Sequence, residues 1–588
     1  MAVELSKPNQ SNNQYGFTDN ISYLLGALQR HEAQKYCIDK KTTFFGCSLD
    51  GDSAFEVVSR IIQRRELYFS GETGQLSTYN SGCYKNTQTC IKMNGKMSKP
   101  LEEHLGVGQG KIRSSDHYKI YINSVLETLE NSGLGVNIGP INTGLSCVAD
   151  DLYLMTDDQV KLQGLLDISQ HYGEMYRVTY GANKTVISVV GSKQDMKYYS
   201  DIHPWIMNGL PVTVKENNDH LGLTVSGFRE EEKNIDIRIK KARGALFKLL
   251  GPAFSAKHLL SPALQMHLFR VYICPIARSG LAAMSLKSNH IKPLIAFQRK
   301  IIRGFLRISD RSPIPSLYFL TGELPIEAKL HRDLFSLFFI IWNNPKTKIS
   351  EIMRFLMENS GSDSHTWARH IRSLAAQYEI QDPLSAIQMA PPTKSEYKQY
   401  IITKITVHHE RRLREIAATN SKMKYLNVNI KGLNGRPHPA LQGVSKTSEI
   451  KKLRAHMKIL CSDLYTSEVR AKYQGGSPHC RLCEGDHPNK IPNENIQHIV
   501  IECKAYSHIR TRILNQVEII CAGIEGIQNI FLNDEHLCQF LLDCTSLNLP
   551  IRIPENNELC SRIFSLSRDL CYGIIKIRSE KLRKIKQD

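Results

Sequence analysis

The 588-residue sequence contains no low-complexity tract and no short-period repeat, which excludes fibrous and solenoid architectures. It also lacks a long hydrophobic run. The densest, residues 334–342 (Leu-Phe-Ser-Leu-Phe-Phe-Ile-Ile-Trp), is too short to cross a bilayer, and residues 1–14 are polar rather than an apolar leader. No membrane association and no secretion are therefore expected. The 15 cysteines are odd in number and scattered, with one tight pair, Cys480 and Cys483, which argues against a disulfide scaffold and for a reduced, intracellular protein. Acidic residues are in deficit: 57 against 76 Lys and Arg, a net charge of +19. Residues 233–309 hold fifteen Lys/Arg and a single acid, Asp236, a nearly one-sign segment that favours phosphate contact over an ordinary mixed-charge face.

What remains is the composition of a globular chain, 41% hydrophobic and 23% charged, long enough for several domains. Short apolar runs at 43–49, 145–148 and 185–190 read as strands, and residues 23–34 and 162–176 as helices. Residues 220–227 read as a further short strand with a tight Gly turn, and 231–385 as mostly helical. Apolar residues at 559, 563, 566, 570, 574 and 577 have helical spacing.

Asp150 and Asp151 stand together between two apolar runs. A polar turn explains them; so does a divalent cation that offsets both charges. Upstream, Asp50 ends the 44–49 run, with Phe55 and Glu56 shortly after. Three carboxylates converging on one sheet edge could hold two magnesium ions, one activating a hydroxyl and one stabilising pyrophosphate. Between them, residues 105–110 (Leu-Gly-Val-Gly-Gln-Gly) allow close backbone approach, and Gln109 could hydrogen-bond a base or sugar. Each piece also has a plain reading: a loop, a core phenylalanine, a solvated Lys184.

The order of the pieces resembles the reverse transcriptases of non-LTR (LINE-like) retrotransposons. The matching segments are Gln-Tyr-Gly-Phe at 14–17, Asp50 to Glu56, Gly-Val-Gly-Gln-Gly at 106–110, Val-Ala-Asp-Asp at 148–151, Asn-Lys-Thr at 183–185 and Leu221-Gly222. Residues 297–326 are more loosely similar to the region after the thumb. The resemblance implies an RNA-directed DNA polymerase that adds dNTPs to a DNA 3′ end on an RNA template, with Mg2+ (or Mn2+). It implies metal binding by Asp50, Asp150 and Asp151, and a steric gate at Phe55. It also implies nucleotide or template contact at Gln109 and Gly110, proton donation to pyrophosphate by Lys184, a primer grip at residues 220–222, and a nuclear location. The sequence departs from the pattern at Val148, where Tyr or Phe is usual, at Glu56, where the second Asp of its motif is usual, and at Lys111, Arg113 and Ser115. The upstream endonuclease and most of the fingers of the family are not found ahead of residue 14.

Cys480, Cys483, His498 and Cys503 form a Cys-x2-Cys-x14-His-x4-Cys pattern suited to Zn2+, with His487 as a competing ligand. The fragment 494–503 looks like the C-terminal zinc knuckle of the same retroelements. The expected fold is α+β: a right-hand palm with an antiparallel sheet over 1–230, a basic helical thumb over 231–350, a helical connector over 351–475, the knuckle over 476–512 and a helical segment over 513–588. The competing reading is a truncated, inactive retroelement remnant that only binds nucleic acid. The sequence does not address oligomeric state.

Overall fold

The computed structural model describes residues 10–49, 51, 55–108, 113–181, 183–251, 260–429, 433–483, 491–546, 549–551, 553–554 and 558–584. The chain divides into two units. The first comprises Met1–Asp236, Ser279–His290 and Leu330–Ile401; the second comprises Ile237–Arg278, Ile291–Lys329 and Ile402–Asp588.

The first unit is built on strand β1 (Phe44–Leu49), whose aromatic and apolar run is covered on both faces. β2 (Leu145–Val148) and β3 (Asp151–Thr156) form a hairpin, and β4 (Val186–Val190) and β5 (Thr213–Val214) complete a five-stranded sheet in the order β5-β4-β1-β3-β2. β1 is antiparallel to both neighbours, with Leu49 opposite Leu152 and Ser48 opposite Val186. The sheet is mixed rather than wholly antiparallel, because β5 runs parallel to β4. The stretch 220–227 holds the expected short strand and Gly turn. β6 (Asn217–His220) turns through Leu221 and Gly222, both at positive φ, into β7 (Leu223–Ser226).

Helix α1 (Leu24–Lys40), α2 (Ser114–Asn131) and α3 (Gln159–Tyr176) surround this sheet. α3 starts where the Asp158 carboxylate accepts from the Val160 and Lys161 backbone N–H groups, a standard N-cap. Period-two alternation puts Phe45, Cys47 and Leu49 in a core with Tyr121, Val125 and Leu129 of α2 and Leu162, Leu165 and Leu166 of α3. Burial of each such aliphatic side chain contributes about 1.5–3 kcal/mol. α1 is buried along most of its length and carries charge. Glu32 accepts from the Trp367 and Ala368 N–H groups at the start of the helix Trp367–Gln377, and Arg30 pairs with Glu230 at 2.7 Å.

The second unit is helical among its described residues, with Thr447–Leu460, Ser507–Cys521 and Glu558–Lys584 as prominent helices. The last spans the stretch with helical apolar spacing and buries Ile563, Leu570 and Ile574. No helix among the described residues is long and apolar enough to cross a membrane.

Candidate functional site

Hairpin β2–β3 turns on two residues, Ala149 and Asp150, with Val148 paired to Asp151. Ala149 sits at φ +60°, a left-handed conformation that costs an L-residue about 1–2 kcal/mol. The Gln14 side chain supports it. Its Oε1 accepts from the N–H groups of Ala149 (3.0 Å) and Gly16 (2.8 Å), and its Nε2 donates to the Ala149 carbonyl at 3.4 Å. Backbone bonds hold the segment in place: Tyr15 N–H donates to the Cys147 carbonyl (2.8 Å) and Cys147 N–H to the Asn13 carbonyl (2.9 Å). Gly16 is glycine for want of room, since a Cβ there would meet the Ala149 nitrogen at 2.3 Å. The turn so held presents Asp150, half-buried, and Asp151, exposed.

The register puts several expected residues at one end of the sheet. β1 ends at Leu49, opposite Leu152, the neighbour of Asp151. Gly51 bridges Tyr180, and β4 begins at Val186, two residues after Lys184, which lies in an exposed turn. Asp50 itself lies outside the described residues, as do Gln109 and Gly110. The loop leading to those two is described. Gly106 N–H donates to the Val58 carbonyl at 2.8 Å and Val107 N–H to the Phe55 carbonyl at 2.9 Å. Phe55 stacks on Tyr118 (4.8 Å between centroids) and meets Phe17 edge-on at 6.2 Å. The expected gate residue thus packs on the 14–17 segment that also supports the acidic turn. His220, the first residue of the segment 220–222 expected at the primer grip, is buried against Tyr153 at 4.4 Å, and burial pushes its imidazole down to about 3, with the Arg30 charge adding to the effect. It is neutral at physiological pH and packs as core.

In the second unit, Cys480, Cys483, His498 and Cys503 are all buried, with ligand atoms within 4.8 Å of one another. The Cys480–Cys503 and Cys483–Cys503 sulfur separations are 4.0 and 3.7 Å, and Cys483 Sγ lies 3.7 Å from His498 Nε2. Sulfurs at about 2.3 Å from a tetrahedral zinc stand about 3.8 Å apart, so the donor set fits that ion. The spacings are too long for disulfides. The Cys480–Cys483 turn closes by a 3.1 Å bond from Cys483 N–H to the Cys480 carbonyl. His498–Glu502 is a π-helical turn, in which Cys503 N–H donates to the His498 carbonyl at 2.7 Å. An α-helix would carry the fifth residue towards its other face; the wider turn returns it to the histidine's side. Glu502 lies 3.3 Å from His498 Nδ1 and orients the ring, and Arg510 donates to the carbonyls of Val500 (2.9 Å) and Cys503 (2.5 Å). The expected competitor, His487, lies outside the described residues. Four protein ligands leave no open position, so a zinc ion here would be structural.

Much of the basic surface expected over 233–309 is exposed. Lys240, Lys241 and Lys248 face solvent, and Arg243 lies over the Phe297 ring at 6.0 Å. Two contributors were not singled out from sequence alone: Gln14 as the brace of the turn, and Glu502. For Gln14 the signal was its motif neighbours; for Glu502 it was a carboxylate four residues after a ligand histidine.

No protein-family model matches the chain. The chain is similar to the retrovirus-related Pol polyprotein from type-1 retrotransposable element R2 of Popillia japonica, at 28% identity over 157 residues, 26% of this chain. That match spans 22% of the polyprotein, about a fifth of its length. Among solved structures, telomerase from Candida albicans with a fragment of telomeric RNA aligns over 65% of this chain and 52% of its own, at 10% identity. Its TM-score of 0.25 is too low to carry an argument.

Two outcomes follow. Gln14→Ala should destabilise the first unit by about 1–3 kcal/mol, because it strips a buried N–H of its acceptor, and should speed amide exchange at Ala149 while leaving the 480–503 region unchanged. Urea titration with hydrogen–deuterium exchange measures both. Glu502→Ala should weaken zinc affinity by about 10- to 100-fold, and Cys483→Ser should abolish stoichiometric binding, as read by chelator competition.

Proposed function

We propose that the chain is the reverse-transcriptase portion of a non-LTR retroelement protein, adding dNTPs to a DNA 3′ end on an RNA template. The observation that carries this reading is the acidic turn at 149–151. It is held in a strained conformation, at the sheet end where β1 runs into Asp50, by the first of the six ordered segments. Similarity to a retrotransposon Pol polyprotein supports the same reading.

In this reading Asp50, Asp150 and Asp151 hold Mg2+; their all-oxygen donors suit that hard cation, and Asp150 on the hairpin turn is followed directly by Asp151 at the start of β3. The bound metal would supply charge stabilisation for the attacking hydroxyl and the leaving pyrophosphate. The chain's own contribution is positioning. Gln14 fixes the turn that carries the carboxylates. Phe55, stacked on Tyr118, walls the sugar site and discriminates against a 2′-hydroxyl. Gln109 and Gly110 lie against the nucleotide or template. Lys184 delivers a proton to pyrophosphate. The exposed lysines of the second unit and the Cys/His module bind nucleic acid. That exposed basic surface equally favours the second reading, a nucleic-acid-binding protein without catalysis.

Primer extension on poly(A) RNA with an annealed DNA primer, dTTP and Mg2+ separates the two. Extension should occur and should fall by at least about a hundredfold in the Asp150→Ala/Asp151→Ala protein. Absence of extension with RNA binding intact in both proteins would establish the binding-only reading.

A further inference from the structure

Residues 88–102 of the first unit form a two-stranded ribbon that none of the preceding roles uses. Its pairs are Gln88 with Glu102, Thr89 with Leu101, Lys92 with Met97 and Met93 with Lys96. The tip is an Asn94-Gly95 turn with φ of +49° and +79°, the mirror-image turn that suits the twist of a hairpin and that Asn-Gly favours most. The base is clamped. Glu103 N–H donates to the Thr87 carbonyl at 2.9 Å, and the Arg60 guanidinium reaches the Tyr84 and Glu103 carbonyls and the Thr87 hydroxyl.

Above that base the ribbon is bare. Every residue of the four strands is exposed, including Met93 (71%), Met97 (62%) and Leu101 (56%), as is Ile91 (59%). An isolated two-stranded ribbon is only marginally stable in water, so burial of its own apolar residues does not account for it. Its charge is one-sided. Between Glu72 and Glu102 the sequence has no acidic residue and four lysines, Lys85, Lys92, Lys96 and Lys99. The pairing places a lysine opposite a methionine on each face, so both faces offer a cation beside an apolar, polarisable side chain.

We propose that this ribbon is a DNA-binding arm that enters the major groove of a B-form duplex. Lysines on both faces then meet the phosphates of both strands, and the face turned to the groove floor lays its methionine, Met93 or Met97, against base edges and thymine methyl groups. The occupant follows from charge and shape together. A polyanion complements a lysine-bearing ribbon whose one acid, Glu102, lies at its base, and the B-form major groove admits a two-stranded β-ribbon. The A-form major groove of an RNA–DNA hybrid is too narrow for one. The inference goes beyond the polymerase reading and does not depend on polymerisation.

The test measures binding of the full chain to a 20-base-pair DNA duplex, to an RNA–DNA hybrid of the same sequence and to single-stranded RNA, by fluorescence anisotropy over a range of salt concentrations. The triple variant Lys92→Gln/Lys96→Gln/Lys99→Gln should lose at least about tenfold in affinity for duplex DNA. Its salt-dependence slope should fall by about 2–3, with hybrid and single-strand binding unchanged. Met93→Ser/Met97→Ser should weaken duplex binding with the slope unchanged. An unaltered slope for duplex DNA in the triple variant would overturn the proposal, and so would equal losses on all three nucleic acids. Self-association of the wild type that Met93→Ser/Met97→Ser abolishes, seen by sedimentation, would also overturn it and assign the ribbon to a second copy of the chain. All substituted side chains are exposed, so the fold is not at stake.

Discussion

Asp150, on a two-residue turn, and Asp151, the first residue of the strand after it, repel one another, and that turn demands a left-handed residue where the chain supplies alanine. The Gln14 side chain resolves the second difficulty. One carboxamide accepts from the Ala149 N–H and donates to the Ala149 carbonyl, which fixes the conformation of the residue just before Asp150. The metal site proposed for the first unit depends on that turn being held. The segment that supplies Gln14 also supplies Gly16, which fits only because it has no side chain, and Phe17, which meets Phe55. A strained residue kept in place by surrounding bonds is a pattern common at functional sites.

The sheet adds the second constraint. With β1 central and antiparallel to β3 and β4, the end of β1, the start of β3 and the start of β4 share one edge. Sequence segments far apart, around 50, 151 and 184, are thereby brought to one end of one sheet. The face carrying Phe45, Cys47 and Leu49 is apolar and covered by α2 and α3.

Much of this was legible in the sequence for physical reasons. Strands 44–49, 145–148 and 186–190 are short apolar runs bounded by turn residues, and α3 announces itself by helical periodicity after the Asp158 cap. The Cys/His cluster was legible because Cys-x2-Cys and His-x4-Cys are local geometry. The long-range features were not. Nothing in residues 14–17 alone predicts a bond to residue 149, and nothing at 106–107 predicts pairing with 55–58. The burial of His220 against Tyr153 was not legible, because it is set by the β6–β7 fold-back rather than by its neighbours in sequence. The mixed direction of the sheet likewise arises from β5, a two-residue strand too short to register as a pattern.

The central claim is that the turn at 149–151 and the chain just after β1 enclose one divalent-metal site. Iron-directed cleavage tests it without requiring turnover. Fe2+ substituted for Mg2+, with ascorbate and peroxide, generates hydroxyl radicals that cut the backbone next to the bound ion. The account predicts paired cuts near residues 50 and 150, competed away by Mg2+ and lost in Asp150→Ala/Asp151→Ala. Cuts confined to other regions, or cuts near 50 and 150 that persist in the double variant, would contradict it.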